Sequence, residues 1–215
     1  MADMTMERRI GGLVAGCDEA GRGSWAGPIV AAAVILPPDA ILPGVNDSKA
    51  VNKKNHRALA DVIMQKAVAV GIGIAGNQFI DEKGISYANR YVIKKAVENL
   101  GIVPGYLLID GGTQQKIDID IPQEEIPKGD QKSLSIAAAS IIAKSVHDEL
   151  MKRYAVKYPQ YKWDDNTGYG TMDHRYAINQ HGICEYHRRS FKPIKEFLRK
   201  ETLLGTPRTG MSVAQ

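Results

Sequence analysis

The sequence predicts an α/β domain built on a mixed sheet. Strand-length apolar runs come early, at residues 13–15 and 29–36, and a third stretch alternates Val68, Val70, Ile72 and Ile74 with small residues. Segments with apolar residues at helical spacing follow, interrupted by one more buried run at 106–109. With 215 residues, 44% of them hydrophobic, the chain suits one domain with a small appendage. These counts leave the strand topology open.

Taken in order, residues 1–10 mix polar and charged side chains and are expected to be a loose start. The first two strands flank Gly16-Cys17-Asp18-Glu19-Ala20-Gly21-Arg22-Gly23, a hairpin-like turn followed by Gly27-Pro28. Pro37, Pro38, Pro43 and Gly44 mark an irregular loop that ends at Asn46-Asp47-Ser48-Lys49. Leu59, Val62, Ile63 and Lys66 predict a helix over 52–66, and the alternating strand comes next. A break near Gly84 precedes a helix through Ala88, Val92, Ala96 and Leu100. The buried run at 106–109 stops abruptly at Asp110-Gly111-Gly112.

Residues 116–127 alternate Asp with Ile before two prolines and read as an edge ribbon or loop. The clearest helix covers 133–158, with Ile136, Ala139, Ala143, Val146 and Leu150 on one stripe. An aromatic loop (Tyr158, Tyr161, Trp163) leads to the turn Gly168-Tyr169-Gly170, then to helices at 172–180 and 193–203. The expected divisions are a body at 11–158, a helical segment at 159–204 and a disordered tail at 205–215, rich in Gly, Pro, Ser and Thr.

The two cysteines, Cys17 and Cys184, are far apart and have no metal-ligand spacing, so reduced thiols are expected. No apolar run reaches membrane length, and a cytoplasmic monomer is the default expectation. A net charge of +4 permits a nucleic-acid partner without arguing for one.

Asp18 and Glu19 are the first candidates for chemistry. Adjacent side chains on a strand point to opposite faces, so the two share one centre only where the strand ends or twists. An Asp-Glu pair at a strand end is often solvated punctuation. Between buried runs, however, two carboxylates need a counter-charge. Arg22 could supply it, and so could a hard divalent cation, which the flanking glycines favour by allowing close approach. Asp110 ends a buried strand, where sites in α/β sheets collect, although a turn-starting Asp fits equally. Asp130 precedes the long helix and suits its dipole. The five histidines are scattered and read as surface or capping residues.

The opening stretch resembles the signature of the type 2 ribonucleases H, the bacterial ribonuclease HII family in particular. The resemblance continues through Asn46-Asp47-Ser48-Lys49, Leu107-Leu108-Ile109-Asp110-Gly111, Lys128-Gly129-Asp130-Gln131-Lys132, the run from Ala137 to Lys144, Gly168-Tyr169-Gly170-Thr171 and His187-Arg188-Arg189-Ser190-Phe191. These blocks stand in the family's order and span about 13–197. Type 3 relatives carry Lys where this chain has Arg22. Departures are mild: Ala50-Val51-Asn52 replaces a Lys-Leu-Ser-like continuation, and Tyr91-Val92-Ile93-Lys94-Lys95 lacks the usual Ala-Thr and Ala-Met signature.

The resemblance implies a ribonuclease H-like fold whose small helical C-terminal segment closes over substrate. It implies an endonuclease acting on RNA/DNA hybrids and on single ribonucleotides in duplex DNA, cutting 5′ of the ribonucleotide to leave 3′-hydroxyl and 5′-phosphate ends. Asp18, Glu19, Asp110 and Asp130 would be both catalytic residues and ligands of Mg²⁺ or Mn²⁺. Such hard cations bind carboxylate oxygen and bridge to phosphate, whereas zinc would want His or Cys. Backbone groups of Gly21, Arg22 and Gly23 could bond the 2′-hydroxyl that separates RNA from DNA. Tyr169 would pack on the sugar beside the ribonucleotide. Asn46 and Lys49, with His187 and Arg188, would hold phosphates. Another metal nuclease on a similar fold and a binding module without turnover are the alternatives.

Overall fold

Strands β1 (Val14–Ala20), β2 (Ile29–Ile35), β3 (Ala69–Ala75), β4 (Tyr106–Asp110) and β5 (Gln123–Ile126) form one mixed sheet in the order β3-β2-β1-β4-β5. β1, β2 and β3 run as an antiparallel meander, and β4 and β5 lie parallel to β1. This is the architecture of a computed structural model, which describes residues 2–45, 53–112 and 116–203. Asn46, Lys49 and the tail at 205–215 lie outside the described residues.

Helices cover both faces of the sheet. Helix α1 (Thr5–Ile10) leads the chain, α2 (Lys53–Lys66) precedes β3, and α3 (Asn77–Lys83) and α4 (Ile85–Glu98) follow it. The break between α3 and α4 falls at Gly84, as the sequence predicts. Helix α5 (Leu134–Lys157) crosses β1 and β2 on one face with α2 beside it, while α4 covers the other. A side chain at Gly16 would run into the backbone of Ser135 and Ile136, so this glycine lets the start of α5 lie directly on β1. The C-terminal segment adds α6 (Trp163–Asn166), α7 (Met172–His181) and α8 (Lys192–Leu203) around a core of Tyr161, Trp163, Ile178 and Ile194.

The structure corrects or sharpens several expectations. The first residues are not loose. The carboxylate of Glu7 is buried and accepts hydrogen bonds from Ser133 Oγ (2.6 Å), Ser135 N (2.9 Å) and Ser135 Oγ (2.6 Å), which docks α1 on the start of α5. In β3 the alternation is correct, but the more buried side carries Gly71, Gly73 and Ala75, because α4 packs its backbone onto them. In α5 the apolar stripe widens to a helix buried all round from Leu134 to Ala139, since β1, β2 and α1 enclose that half. The ribbon or loop expected at 116–127 contains β5 as an edge strand.

Candidate active site

Strand register builds the acidic centre. Cys17 pairs with Ile109 across the parallel β1–β4 ladder, so the next step brings Asp18 level with Asp110, both near the carboxyl ends of their strands. Strand β1 continues through Asp18 and Glu19 to Ala20, and the two acids face opposite sides of the sheet. Asp18 turns toward α5, where Ser140 hydrogen-bonds its carboxyl group. Glu19 turns toward α4, where Asn89 does the same. Glu19 nevertheless lies near enough to Asp110 for that charge to act on it. Asp110 Oδ1 accepts the Gly129 N–H at 2.6 Å, which ties β4 to the single 3-10 turn Gly129–Gln131 that carries the exposed Asp130.

The four carboxylates act on one another. Burial, with the charges of Glu19 and Asp110, pushes the Asp18 carboxyl well above its ordinary range. Burial also raises Glu19; Asp110 adds to the rise, and Arg22, with Nη1 3.5 Å from Oε1, opposes it. Asp110 is raised by burial and by the neighbouring Asp130. The donor set is carboxylate oxygen throughout, the chemistry that a hard divalent cation takes, and it is short of positive charge. Among the described residues no three His, Cys, Asp or Glu side chains are already gathered around a single point.

The turn after β1 lies against the C-terminal segment. Gly21 has φ +81°, and a side chain there would strike the buried imidazole of His147. Tyr169, 42% exposed, sets its ring over Gly23; a methyl group added to Gly23 would meet Cε1 at 3.4 Å. Main-chain bonds hold the two turns together: Trp25 N to Gly168 O at 2.7 Å, Gly27 N to Tyr186 O at 2.9 Å and Arg188 N to Trp25 O at 2.8 Å.

Behind Tyr169 lies a buried chain of rings. The Cys184 N–H donates to His187 Nδ1 (3.0 Å), so His187 carries its proton on Nε2 and offers it to His174 Nε2 (3.2 Å). Trp163 Nε1 donates to the same His174 nitrogen (3.1 Å), and His174 Nδ1–H donates to the Tyr169 carbonyl (2.9 Å). Both imidazoles are neutral. Burial lowers His174, and burial with the neighbouring His174 brings His187 down to about 3.

These observations correct the expected phosphate contacts at His187 and Arg188. Both residues are buried, at 1% and 0% exposure, and their polar atoms are spent inside the protein. The histidines read from sequence as surface or capping residues, yet His147, His174 and His187 are all buried. Ser140, Asn89 and His174 are site residues that the sequence pattern missed. Isolated polar residues on helices carry no periodic signal, and only the tertiary contact singles them out.

An acidic centre at the ends of adjacent parallel strands, on a five-stranded mixed sheet with helices on both faces, is the ribonuclease H-like fold. The ribonuclease H2 of Pyrococcus horikoshii OT3 superposes with a TM-score of 0.76 at 22% identity, over 88% of this chain and 98% of that one. Bst-RNase HIII in complex with Mn²⁺ does so with a TM-score of 0.61 at 22% identity, over 87% and 70%. The chain belongs to the ribonuclease HII family, whose model matches residues 15–194. Ribonuclease HII of Bacillus cereus (strain Q1) is 49% identical over 187 residues, covering 87% of this chain and 72% of that protein. The protein is accordingly an endoribonuclease that hydrolyses phosphodiester bonds in RNA paired with DNA. No described helix is long and apolar enough to cross a membrane.

Proposed function

We propose that this endoribonuclease also cuts duplex DNA at single embedded ribonucleotides, on their 5′ side, leaving 3′-hydroxyl and 5′-phosphate ends. The observation that carries this reading is the contact between Tyr169 and Gly23, which puts an exposed ring beside a glycine turn at the edge of the acidic centre. In this reading the turn reads one ribose and Tyr169 packs on the adjoining sugar, so a single ribonucleotide suffices. Asp18, Glu19, Asp110 and Asp130 hold Mg²⁺ or Mn²⁺; the Mn²⁺ complex of the similarly folded Bst-RNase HIII supports that choice. Two such ions, when bound, supply an activated water and stabilise the leaving oxygen. The chain's own part is to draw the cations with its carboxylates and to hold the turn at the ribose. Arg22 bonds a phosphate or steadies Glu19, and Asn46 and Lys49 bind phosphates further along. Residues 11–158 form the catalytic body, 159–204 complete the substrate cleft, and the protein works as a cytoplasmic monomer.

The test is cleavage of an end-labelled DNA duplex carrying one ribonucleotide, in Mg²⁺, Mn²⁺ and EDTA, beside a hybrid and an all-DNA control. A metal-dependent cut immediately 5′ of the ribonucleotide is expected. Cutting of the hybrid alone would contradict the reading.

A further inference from the structure

Arg188 is fully buried, yet its guanidinium is spent entirely on backbone carbonyls. Nη2 donates to Gly21 O and Pro28 O, both at 2.7 Å; Nη1 donates to Arg22 O and Nε to Gly27 O, both at 3.0 Å. The face of the guanidinium lies on the Phe191 ring, 5.1 Å from its centroid. Asp81 acts on Arg188 electrostatically, but its carboxylate is bonded to the N–H groups of Arg189 and Ser190. A buried cation desolvated this thoroughly is costly unless its donors are paired, and here the turn after β1 takes four of the five N–H groups.

The consequence lies on the other side of the turn. In a planar trans peptide the N–H points opposite to the C=O. Arg188 draws the Gly21 and Arg22 carbonyls inward, so the N–H groups of Arg22 and Gly23, which share those two peptide planes, point away from it. Arg22 and Gly23 are exposed, and among the described residues neither N–H has a backbone acceptor. The outer face of the turn therefore presents two donors, while the Gly21 and Arg22 oxygens are held inside.

We propose that Arg188 is a positioning residue that fixes the polarity of this turn, making it a donor-only reader of a substrate oxygen. The oxygen is a ribose 2′-oxygen or a non-bridging oxygen of the adjoining phosphate; a group that can only donate is refused. The proposal rests on the reading in which the turn faces the ribonucleotide.

The experiment follows the backbone amides of Arg22 and Gly23 by NMR in the full chain, with Ca²⁺ in place of the catalytic cation, while duplex is added. Shifts with a one-ribonucleotide duplex alone assign the 2′-oxygen, and equal shifts with an all-DNA duplex assign the phosphate. No shift of either amide with either duplex overturns the proposal. In parallel, Arg188→Met and Arg188→Lys are compared with wild type for cleavage at a single ribonucleotide and on a hybrid, each variant checked for native near-ultraviolet circular dichroism. Loss of at least about tenfold in kcat/KM at the single ribonucleotide is expected for Arg188→Met, with Mn²⁺ affinity kept. Arg188→Lys, which keeps the charge and some of the donors, recovers part of the loss and serves alone if the Met variant does not fold. A folded Arg188→Met variant with wild-type kcat/KM at the single ribonucleotide contradicts the role of Arg188. Wild type that fails to distinguish ribose from deoxyribose contradicts instead the function proposed above.

Discussion

Asp18 and Asp110 stand level on adjacent parallel strands, one step beyond the Cys17–Ile109 pair, and each carboxyl is raised in pKa, chiefly by burial. Parallel pairing therefore does what sequence proximity cannot: it joins acids 92 positions apart into one centre. The same proximity is a liability without a cation, since each negative charge opposes the other.

Asp18→Asn should therefore cost activity and increase stability. Hydrolysis of a hybrid is expected to fall at least about 100-fold. The raised carboxyls contribute stability that is present below their ordinary pKa values near 3.8 and is lost as pH rises through their folded values. In EDTA near neutral pH the variant should thus melt above wild type, with the gap closing as pH falls. Thermal melts from pH 8 to 5 check this, and a variant less stable at pH 8 would contradict it.

The neutral histidine chain gives the opposite sign. His187 falls from 6.5 in the unfolded chain to about 3 in the fold, so the unfolded state binds the extra proton first. Stability from this pair is present above about 6.5 and is lost as pH falls toward 3. His187→Gln should flatten this acid loss relative to wild type, measured by urea midpoints between pH 7 and 4.

Tyr169→Ala removes the ring over Gly23 while leaving the acids untouched. Stacking of this kind is worth roughly 1–3 kcal/mol, so a loss of about 5- to 150-fold is expected at a single ribonucleotide. A long hybrid should lose less, and Tyr169→Phe should remain near wild type. Equal losses on both substrates would separate Tyr169 from the reading of single ribonucleotides.

Gly21→Ala tests the turn from within. A Cβ there must adopt φ +81°, meet the His147 imidazole and approach Pro28 O to 2.9 Å. Overpacking of this order costs about 1–3 kcal/mol, readable as a lowered urea midpoint. A midpoint equal to wild type would mean that the turn relaxes freely.

Much of this fold was legible because its elements carry strong local signals. The long helix expected at 133–158 is Leu134–Lys157, and the break at Gly84 and the strand ending at Asp110 also lie where composition puts them. The docked start was not legible, because Glu7 looks like any surface acid until Ser133 and Ser135 arrive from 126 and 128 positions away. Arg188 misled for a related reason. The family resemblance makes it a phosphate ligand, and only the carbonyls of a turn more than 150 positions earlier show that it faces inward. The four acids and the glycine turn are candidates through the family's motifs, whereas Ser140, Asn89 and His174, which bond those acids or Tyr169, depend on contacts between elements.

The most direct test of the acidic centre is Mn²⁺ binding by electron paramagnetic resonance to wild type, Asp18→Asn and Asp110→Asn, without nucleic acid. Both variants should bind Mn²⁺ at least about tenfold more weakly than wild type, in step with their loss of hydrolysis. Wild-type affinity in both variants would contradict the assignment of this pair as the place where the cation sits.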